Sequence, residues 1–430
     1  MTTVLLTAAQ AEADQARVAG GVRDLRRGER LALVVPGSTR LLTAAMGALR
    51  VGVVPVLLDP ATPRAELDAL LADIDPARVV STVEELDALH AHEPAELAEV
   101  PLGRPMHVTS GTTGRRKGVW SGVLDPAAAR ALWAEEADLW AFGPADTHIV
   151  VSPLYHSAPL RFAIGTLLAG GSVLVPGRFS PATFIELCAT HHPTTMFTAP
   201  AQLQRLREHG GAEDALAGFR LVAHAGAPCP EPVKRWLVDV AGDSVWEFYG
   251  STEGQFTVSS AADWTAHPGS VGRARPGRTL STDPDGTIWC TVPEHARFTY
   301  WNAPEKTAAA WRGDAFSVGD LGRLDEQGWL YLDGRRDDLV ITGGVNVYPV
   351  EVERVLEECP GVREVAVYGV DDDRWGQRVE AAVVGCADEV AGWAREHLSP
   401  AQRPKVVHVV DELPRTSTGK VLRGVLRTRA

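Results

Sequence analysis

Positive charge is the scarcer sign in this sequence: 42 lysines and arginines stand against 55 aspartates and glutamates, a formal net charge of −13 over 430 residues. Such a balance excludes a general nucleic-acid binder, which needs a basic face for phosphate, but leaves room for a locally cationic site that takes a small anion. Cysteine is sparse too. Cys188, Cys229, Cys290, Cys359 and Cys386 are odd in number and far apart, with no Cys-x-x-Cys pair to suggest zinc or redox chemistry. A reduced, cytoplasmic setting is therefore expected. Long apolar runs are missing: stretches such as Val51 to Leu58 are too short to span a bilayer, so no membrane partner is expected. The N-terminal segment lacks a basic region and meets acids at Glu12 and Asp14, which does not read as a signal peptide. What is present is an ordinary globular composition, 45% hydrophobic and 23% charged, with 41 glycines and 29 prolines. At roughly 150 residues per domain the length corresponds to a few domains, and no internal repeat or low-complexity tract interrupts it.

Apolar, β-branched runs of strand length recur at Leu31 to Val35, Val53 to Leu58, Ile149 to Val151, Val173 to Val175, Thr195 to Thr198, Arg220 to Ala223 and Ser244 to Tyr249. Helical patterns lie between many of them. Pro181 to His191 puts Phe184, Leu187 and Cys188 on one face, and Glu231 to Val240 follows a Pro-rich start. This alternation predicts an α/β fold with mainly parallel sheets. The texture changes near residue 333, where Gly328-Trp-Leu-Tyr-Leu-Asp-Gly-Arg-Arg-Asp-Asp338 reads as a strand pair closing into a charged turn. That turn divides the chain into 1–336 and a compact β/α segment, 337–430, large enough for a small domain.

Thr109-Ser-Gly-Thr-Thr-Gly-Arg-Arg-Lys-Gly118 packs four hydroxyls, three cations and three glycines into ten residues after the short apolar segment Met106 to Val108. Glycines let backbone N–H groups approach an anion, hydroxyls add donors, and Lys117 with its arginines offsets charge. By composition the decapeptide is a phosphate-holding loop or a flexible polar turn. It lacks the Gly-Lys-Ser/Thr ending of the usual nucleotide P-loop.

This loop strongly resembles the phosphate loop of the adenylate-forming superfamily of acyl-CoA synthetases, adenylation domains and luciferases. Further motifs of that family follow in order: Tyr249-Gly-Ser-Thr-Glu253, Gly269-Ser-Val-Gly272, Tyr300-Trp-Asn302, Gly319-Asp-Leu-Gly322, Gly334-Arg-Arg-Asp-Asp338, Gly343-Gly344 and Leu413-Pro-Arg-Thr-Ser-Thr-Gly-Lys-Val-Leu-Arg423. The resemblance runs from about residue 30 to the end. It implies an α/β enzyme with a large N-terminal adenylation core of layered, parallel-rich sheets and helices, 1–336, and a small mobile C-terminal α+β domain, 337–430. It also implies a sequence of roles. Thr109, Ser110, Gly111, Thr112, Thr113 and Gly114 would cradle the phosphates of ATP, with Lys117 adding charge. Thr252 would contact the α-phosphate, and Glu253 would hold Mg²⁺. Tyr249, Gly250, Gly226, Ala227 and Pro228 would line the nucleotide site, and Asp320 with Arg335 would hold the ribose. Lys420 would reach the substrate carboxylate and bridging oxygens, and Asp337 would be the hinge about which the small domain turns. Without the resemblance Lys420 is a solvated lysine and Asp337 a turn acid.

Elementary chemistry agrees with that assignment. A carboxylate attacking the α-phosphorus of ATP joins two anions, so the site must supply positive charge, a metal and fixed geometry rather than a covalent nucleophile. Ser152-Pro-Leu-Tyr-His156 ends a strand in an aromatic and an imidazole, as in acyl- and aryl-CoA synthetases, where the histidine borders the acyl pocket. Taken alone, His156 is a packed or capping residue. Tyr155, Ser157, Ala158, Ala225 and Ser251 would line that pocket. Amino-acid-activating relatives place an aspartate just after this motif, whereas Ser157 and Ala158 stand here, which disfavours an α-amino acid. Arg161 on the following helix is either structural or a partner for a second substrate carboxylate.

Asp373-Arg-Trp-Gly-Gln377 and Arg403-Pro-Lys405 look especially like aryl-CoA ligases, where the tryptophan packs the pantetheine of CoA beside the glycine pair and the cations meet its phosphates. Gly343, Gly344, Trp375, Arg403 and Lys405 would then form the CoA site, although Trp375 by itself reads equally as a core aromatic. Some positions depart from the pattern. The N-terminal subdomain is shortened by several tens of residues, Arg116 stands at the common proline, Ser317-Val318 replaces Arg-Thr, and Gln402 replaces a lysine. The reading is an ATP- and Mg²⁺-dependent acid–thiol ligase acting on an aromatic or medium-sized aliphatic acid, with CoA as acceptor. It would act as a monomer or homodimer. Alternatives are a stand-alone adenylating enzyme that serves a carrier-protein thiol or another nucleophile, and a catalytically inactive nucleotide-binding regulator.

Overall fold

The computed structural model describes residues 4–109, 117–335, 338–415 and 421–428. Backbone contacts group the chain into two compact units. One comprises Met1–Ala266, Ala274–Thr279 and Thr291–Phe316; the other comprises His267–Arg273, Leu280–Cys290 and Ser317–Ala430.

The first unit is built on a long sheet that runs, edge inward, Val4–Thr7, Ser172–Val175, Thr147–Val150, Thr195–Thr198, Leu221–His224, Val245–Glu247 and Thr257–Ser260. The five strands from Ser172–Val175 to Val245–Glu247 are mutually parallel, and the two flanking strands pair antiparallel. Alternating side chains feed two cores. Val150 and Val173 join Leu31, Leu42, Met46 and Ile164 on one face, while Ile149, Leu174, Met196 and Val222 meet Phe184, Leu187, Leu203 and Leu237 on the other. A sheet covered on both faces explains why its strands read as continuous apolar runs. The expected strands fall within a few residues of the observed ones, and Thr195–Thr198 matches at both ends. The helix Pro181–His191 also begins and ends as expected. The Ser180 hydroxyl accepts from the Thr183 amide, Pro181 occupies the first turn, and His192 leaves in the left-handed region at φ 46°.

Two smaller sheets complete this unit. Val54–Leu57, Arg30–Leu33 and Arg78–Val80 are parallel. Thr299–Tyr300, Lys117–Trp120 and His107–Thr109 are antiparallel, so the strands on either side of residues 110–116 pair with each other.

In the second unit, Asp320–Leu324 pairs antiparallel with Leu330–Arg335. The sequence placed both strands of a pair within 328–338; the structure puts the partner upstream instead. The turn lies at 325–329, where Asp325 accepts from the Gln327 and Trp329 amides and Gly328 takes φ +83°. Beyond it, the hairpin Val362–Asp372/Gly376–Gly385 carries Val406–Val409 in parallel on one side and the pair Val340–Thr342/Val345–Val347 at its base. The helices Pro349–Glu357 and Val390–His397 cover one face of this sheet through Val352, Leu356, Val390 and Ala394, packed on Val365, Val367, Ala381 and Val383. Arg423 is half-buried against the other elements of this unit. It grips both oxygens of Glu353 at 2.7 and 2.8 Å and donates to the Val367 carbonyl at 3.0 Å. No helix among the described residues is long and apolar enough to cross a membrane.

Candidate active site

Parallel strands expose all their C-terminal ends at one edge, and the loops that leave there line a crevice in α/β sheets. In the first unit, the loops after Val150, His224 and Glu247 all leave the long sheet at that edge. Tyr155, His156, Ser157 and Ala158, then Ala225 to Pro228, then Tyr249 to Glu253 therefore share one rim, although they lie about a hundred residues apart. His156 sits at the N-terminal boundary of the helix Ser157–Leu168 with extended backbone, and its ring lies 4.6 Å from that of Tyr155. Gly226 occupies the left-handed region at φ +95°.

The Tyr249–Glu253 segment folds into a tight hairpin. Phe256 donates to the Tyr249 carbonyl at 2.9 Å, Tyr249 donates to the Thr257 hydroxyl at 3.1 Å, and Gly250 bridges Gln255. A Cβ at Gly250 would stand 2.8 Å from the Gly254 carbonyl oxygen, so the turn requires glycine there. Glu253 is 7% exposed, and its Oε1 accepts from the Tyr300 hydroxyl at 2.8 Å. The Ser251 hydroxyl is buried with no hydrogen-bond partner among the described residues.

Thr252 faces a small cavity shared with Arg104, Pro105, His107, Val119 and Ser121, which brings it beside both strands that flank the glycine-rich loop. Lys117 begins the second of those strands with its ammonium 3.8 Å from the Asp73 carboxylate. Thr109 ends the first. Ser110, Gly111, Thr112, Thr113 and Gly114 lie outside the described residues.

Sequence reasoning passed over Arg104 and His107. Arg104 donates to the Glu253 carbonyl at 3.1 Å and to the Ala296 carbonyl at 3.3 Å. Burial lowers its pKa to about 10, and Arg161, Arg278 and Arg275 push the same way. His107 faces the Tyr155 carbonyl at 3.4 Å, and burial drives its imidazole down to about 3, so it is neutral at physiological pH. His107 stood in a strand beside a recognised loop and was within reach of an alternation argument. Arg104 had no local signal, because its partners lie 149 and 192 positions away.

Arg161 enters an internal charge network. It bonds Glu136 at 3.2 Å and Gln255 at 3.0 Å, and Arg275 shares both partners at 2.8 and 3.2 Å. Burial alone would raise the Glu136 carboxyl, but Arg161 and Arg275 hold it below the usual range. Arg161 Nε is buried without a hydrogen-bond partner among the described residues, and Gln255, which bridges Gly250, joins the network to the Tyr249–Glu253 hairpin.

Within the second unit, Asp320 and Arg335 face each other in register across the antiparallel pair, and Asp320 is 6% exposed. Ser317, at a position where the family pattern differs, accepts from the Gly319 amide at 3.2 Å as Gly319 turns through φ +80°. Gly343 and Gly344 form the turn between Val340–Thr342 and Val345–Val347 at φ +57° and +80°. Trp375 lies directly on that turn: Gly343 donates to the Trp375 carbonyl at 2.8 Å, and a Cβ at Gly343 would come within 2.9 Å of the indole. Arg403 donates to the Leu398 and Arg395 carbonyls, and Lys405 to the Pro400 carbonyl, so both cations gather at the end of the helix Val390–His397. Asp337 and Lys420 lie outside the described residues.

Among the described residues no group of three or more His, Cys, Asp or Glu side chains is arranged to hold a metal. The lone Glu253 carboxylate nevertheless fits magnesium, which is commonly held by one or two carboxylates while substrate phosphates and water complete its shell.

Comparison with known proteins identifies the family. The profile of the AMP-binding enzyme family matches residues 2–103 and 106–287, and that of the AMP-binding enzyme C-terminal domain matches residues 351–420. A feruloyl-CoA synthase from an Amycolatopsis species is 31% identical over 99% of this chain and 94% of its own length. The long-chain-fatty-acid–CoA ligase FadD13 of Mycobacterium tuberculosis is 30% identical over 99% and 93%. The ATP-bound crystal structure of MatB from Rhodopseudomonas palustris superposes with a TM-score of 0.87 at 31% identity, covering 98% of this chain and 93% of that one. The amide bond synthetase McbA from Marinactinospora thermotolerans superposes at 0.85 with 26% identity, over 98% and 94%.

Proposed function

The chain belongs to the AMP-binding enzyme family, within the adenylate-forming superfamily, and from that premise we propose that it is an AMP-forming acid–thiol ligase that joins a carboxylic acid to CoA. The observation that carries the reading is the gathering of Tyr155–Ala158, Ala225–Pro228 and Tyr249–Glu253 on one sheet edge, with Thr252 beside the strands that flank the glycine-rich loop. In the first half-reaction a substrate carboxylate oxygen attacks the α-phosphorus of ATP, the bond to pyrophosphate breaks, and an acyl-adenylate forms. In the second, the CoA sulfur attacks the acyl carbon and AMP leaves.

The residues divide this work as charge and placement. Lys117 and the 109–114 loop hold the phosphates, and Thr252 donates to the α-phosphate. Glu253 would hold Mg²⁺, which when bound offsets phosphate charge. Asp320 and Arg335 grip the ribose, and Gly226, Ala227 and Pro228 flank the base. Lys420 brings its charge to the carboxylate during adenylation. The segment 337–430 turns about Asp337 between half-reactions. His156, with Tyr155, Ser157, Ala158, Ala225 and Ser251, shapes the acyl pocket. Small side chains at four of these positions leave room for an aromatic or medium-sized aliphatic acid. Trp375 over Gly343 and Gly344 packs the pantetheine arm. Arg403 and Lys405 serve the CoA phosphates, since each keeps N–H donors beyond those it gives to carbonyls.

The similarity to an amide bond synthetase supports a second reading, in which the same adenylate passes to an amine or to a carrier-protein thiol. Mass spectrometry of products formed from ATP, Mg²⁺ and a panel of aryl and alkyl acids, with and without CoA, separates the two. Acyl-AMP that becomes acyl-CoA is the expected result. Acyl-AMP that persists in the presence of CoA selects the second reading, and the absence of any adenylate overturns both.

A further inference from the structure

Tyr300 belongs to a motif that the reaction scheme leaves without a task. It lies on a two-residue strand that pairs with Lys117–Trp120, in register with Val119, and the next residue, Trp301, donates to the Gly118 carbonyl at 2.8 Å. Its backbone is thereby tied to the strand that Lys117 begins. Its side chain reaches Glu253, whose Oε1 accepts from the phenol at 2.8 Å. The ring is fixed by an edge contact with Phe298 at 5.4 Å and by the Lys306 ammonium 4.1 Å over its face. Glu253 is held a second time at its main chain, where Arg104 forks between the Glu253 and Ala296 carbonyls at 3.1 and 3.3 Å.

We propose that Tyr300 and Arg104 are positioning residues for the metal carboxylate Glu253, locking it in register with the Lys117 strand before nucleotide arrives. The inference rests on the reading of Glu253 given above. A carboxylate on a tight hairpin has several rotamers, and only one aims at a metal on the phosphates. The phenol selects one rotamer by taking Oε1, which leaves Oε2 for the cation, while the guanidinium stops the hairpin from shifting. A ligand oriented by such outer partners typically loses about 10- to 100-fold in metal affinity when they are removed.

The test measures Mn²⁺ binding by electron paramagnetic resonance on the full chain with a non-hydrolysable ATP analogue, alongside metal-free AMP binding by calorimetry. Tyr300→Phe removes one oxygen from a ring that stays packed. It should raise the Mn²⁺ dissociation constant about tenfold or more while AMP affinity stays within about twofold of the parent. Arg104→Lys keeps the charge but cannot fork across both carbonyls, and should shift Mn²⁺ in the same direction; it carries the test if Tyr300→Phe does not fold. Unchanged Mn²⁺ affinity in the folded variants overturns the proposal. Equal losses of Mn²⁺ and AMP affinity also overturn it, because they reveal a merely structural role. A Glu253→Ala control that binds Mn²⁺ as well as the parent removes the underlying assignment of Glu253, a failure distinct from that of Tyr300 and Arg104.

Discussion

Trp375 is 44% exposed, yet its backbone is pinned, by the Gly343 amide on one side and by the Asp372 carboxylate, which accepts from the Trp375 amide at 3.0 Å, on the other. An indole this exposed is not the core aromatic that sequence alone left open, and its place beside a glycine turn supports the proposed role against the pantetheine arm. Trp375→Ala is expected to raise the KM for CoA about tenfold, equivalent to roughly 1.4 kcal/mol of binding, and to leave acyl-AMP formation unchanged. Steady-state CoA titration with a separate adenylation assay checks both halves, and an unaltered CoA dependence would take Trp375 out of the site. Residues of this kind, along with Thr252, Glu253 and Asp320, were legible because each sits inside a short motif of distinctive spacing. Arg104 was not, since a lone arginine acquires meaning only when folding brings Glu253 and Ala296 to it. Arg161 was visible, but its partners Glu136 and Gln255 were not.

At the scale of elements, periodicity located most strands and helices, because parallel strands buried on both faces are continuous apolar runs and helices carry caps. It failed where a turn had competing signals. Between 320 and 338 the charged Arg-Arg-Asp-Asp cluster suggested the turn, whereas Asp325 and Gly328 make it upstream. The Gly343-Gly344 turn was recognisable, and its geometry now gives a magnitude. Gly343→Ala places a side chain in the left-handed region and against the indole, at 2.9 Å from the ring. The substitution should destabilise the chain by on the order of 1–2 kcal/mol. It should also raise the KM for CoA by displacing Trp375. Urea unfolding and CoA titration read the two effects, and a Gly343→Ala chain with parent-like stability and KM would show that the turn and the indole are not coupled.

For the whole molecule, the buried histidines of the first unit set its response to acid. Burial drives His107 and His148 down to about 3 and His224 to about 4, so all three are neutral in the folded chain. Unfolded, each titrates near 6.5 and takes up a proton below that pH. The unfolded state therefore binds more protons, so this contribution is fully present above pH 6.5 and falls away as pH drops toward the folded values. Near pH 5 the three together give a slope of up to about 4 kcal/mol per pH unit. Urea midpoints measured from pH 8 to pH 5 should decline steeply below pH 6.5, and a flat profile over that range would mean that these imidazoles are protonated in the fold.

The sequence by itself determined the α/β class and the family and named most of the candidate site residues, because those depend on local spacing: apolar periodicity for the strands, and runs of glycine, hydroxyl and charge for the motifs. Only the tertiary structure decided which residues stand behind them. The pairing of Tyr300 with Glu253, the fork of Arg104 and the contact of Arg161 with Gln255 join positions far apart in the chain. Such contacts are set by sheet order and by the burial of charge, which no local pattern records.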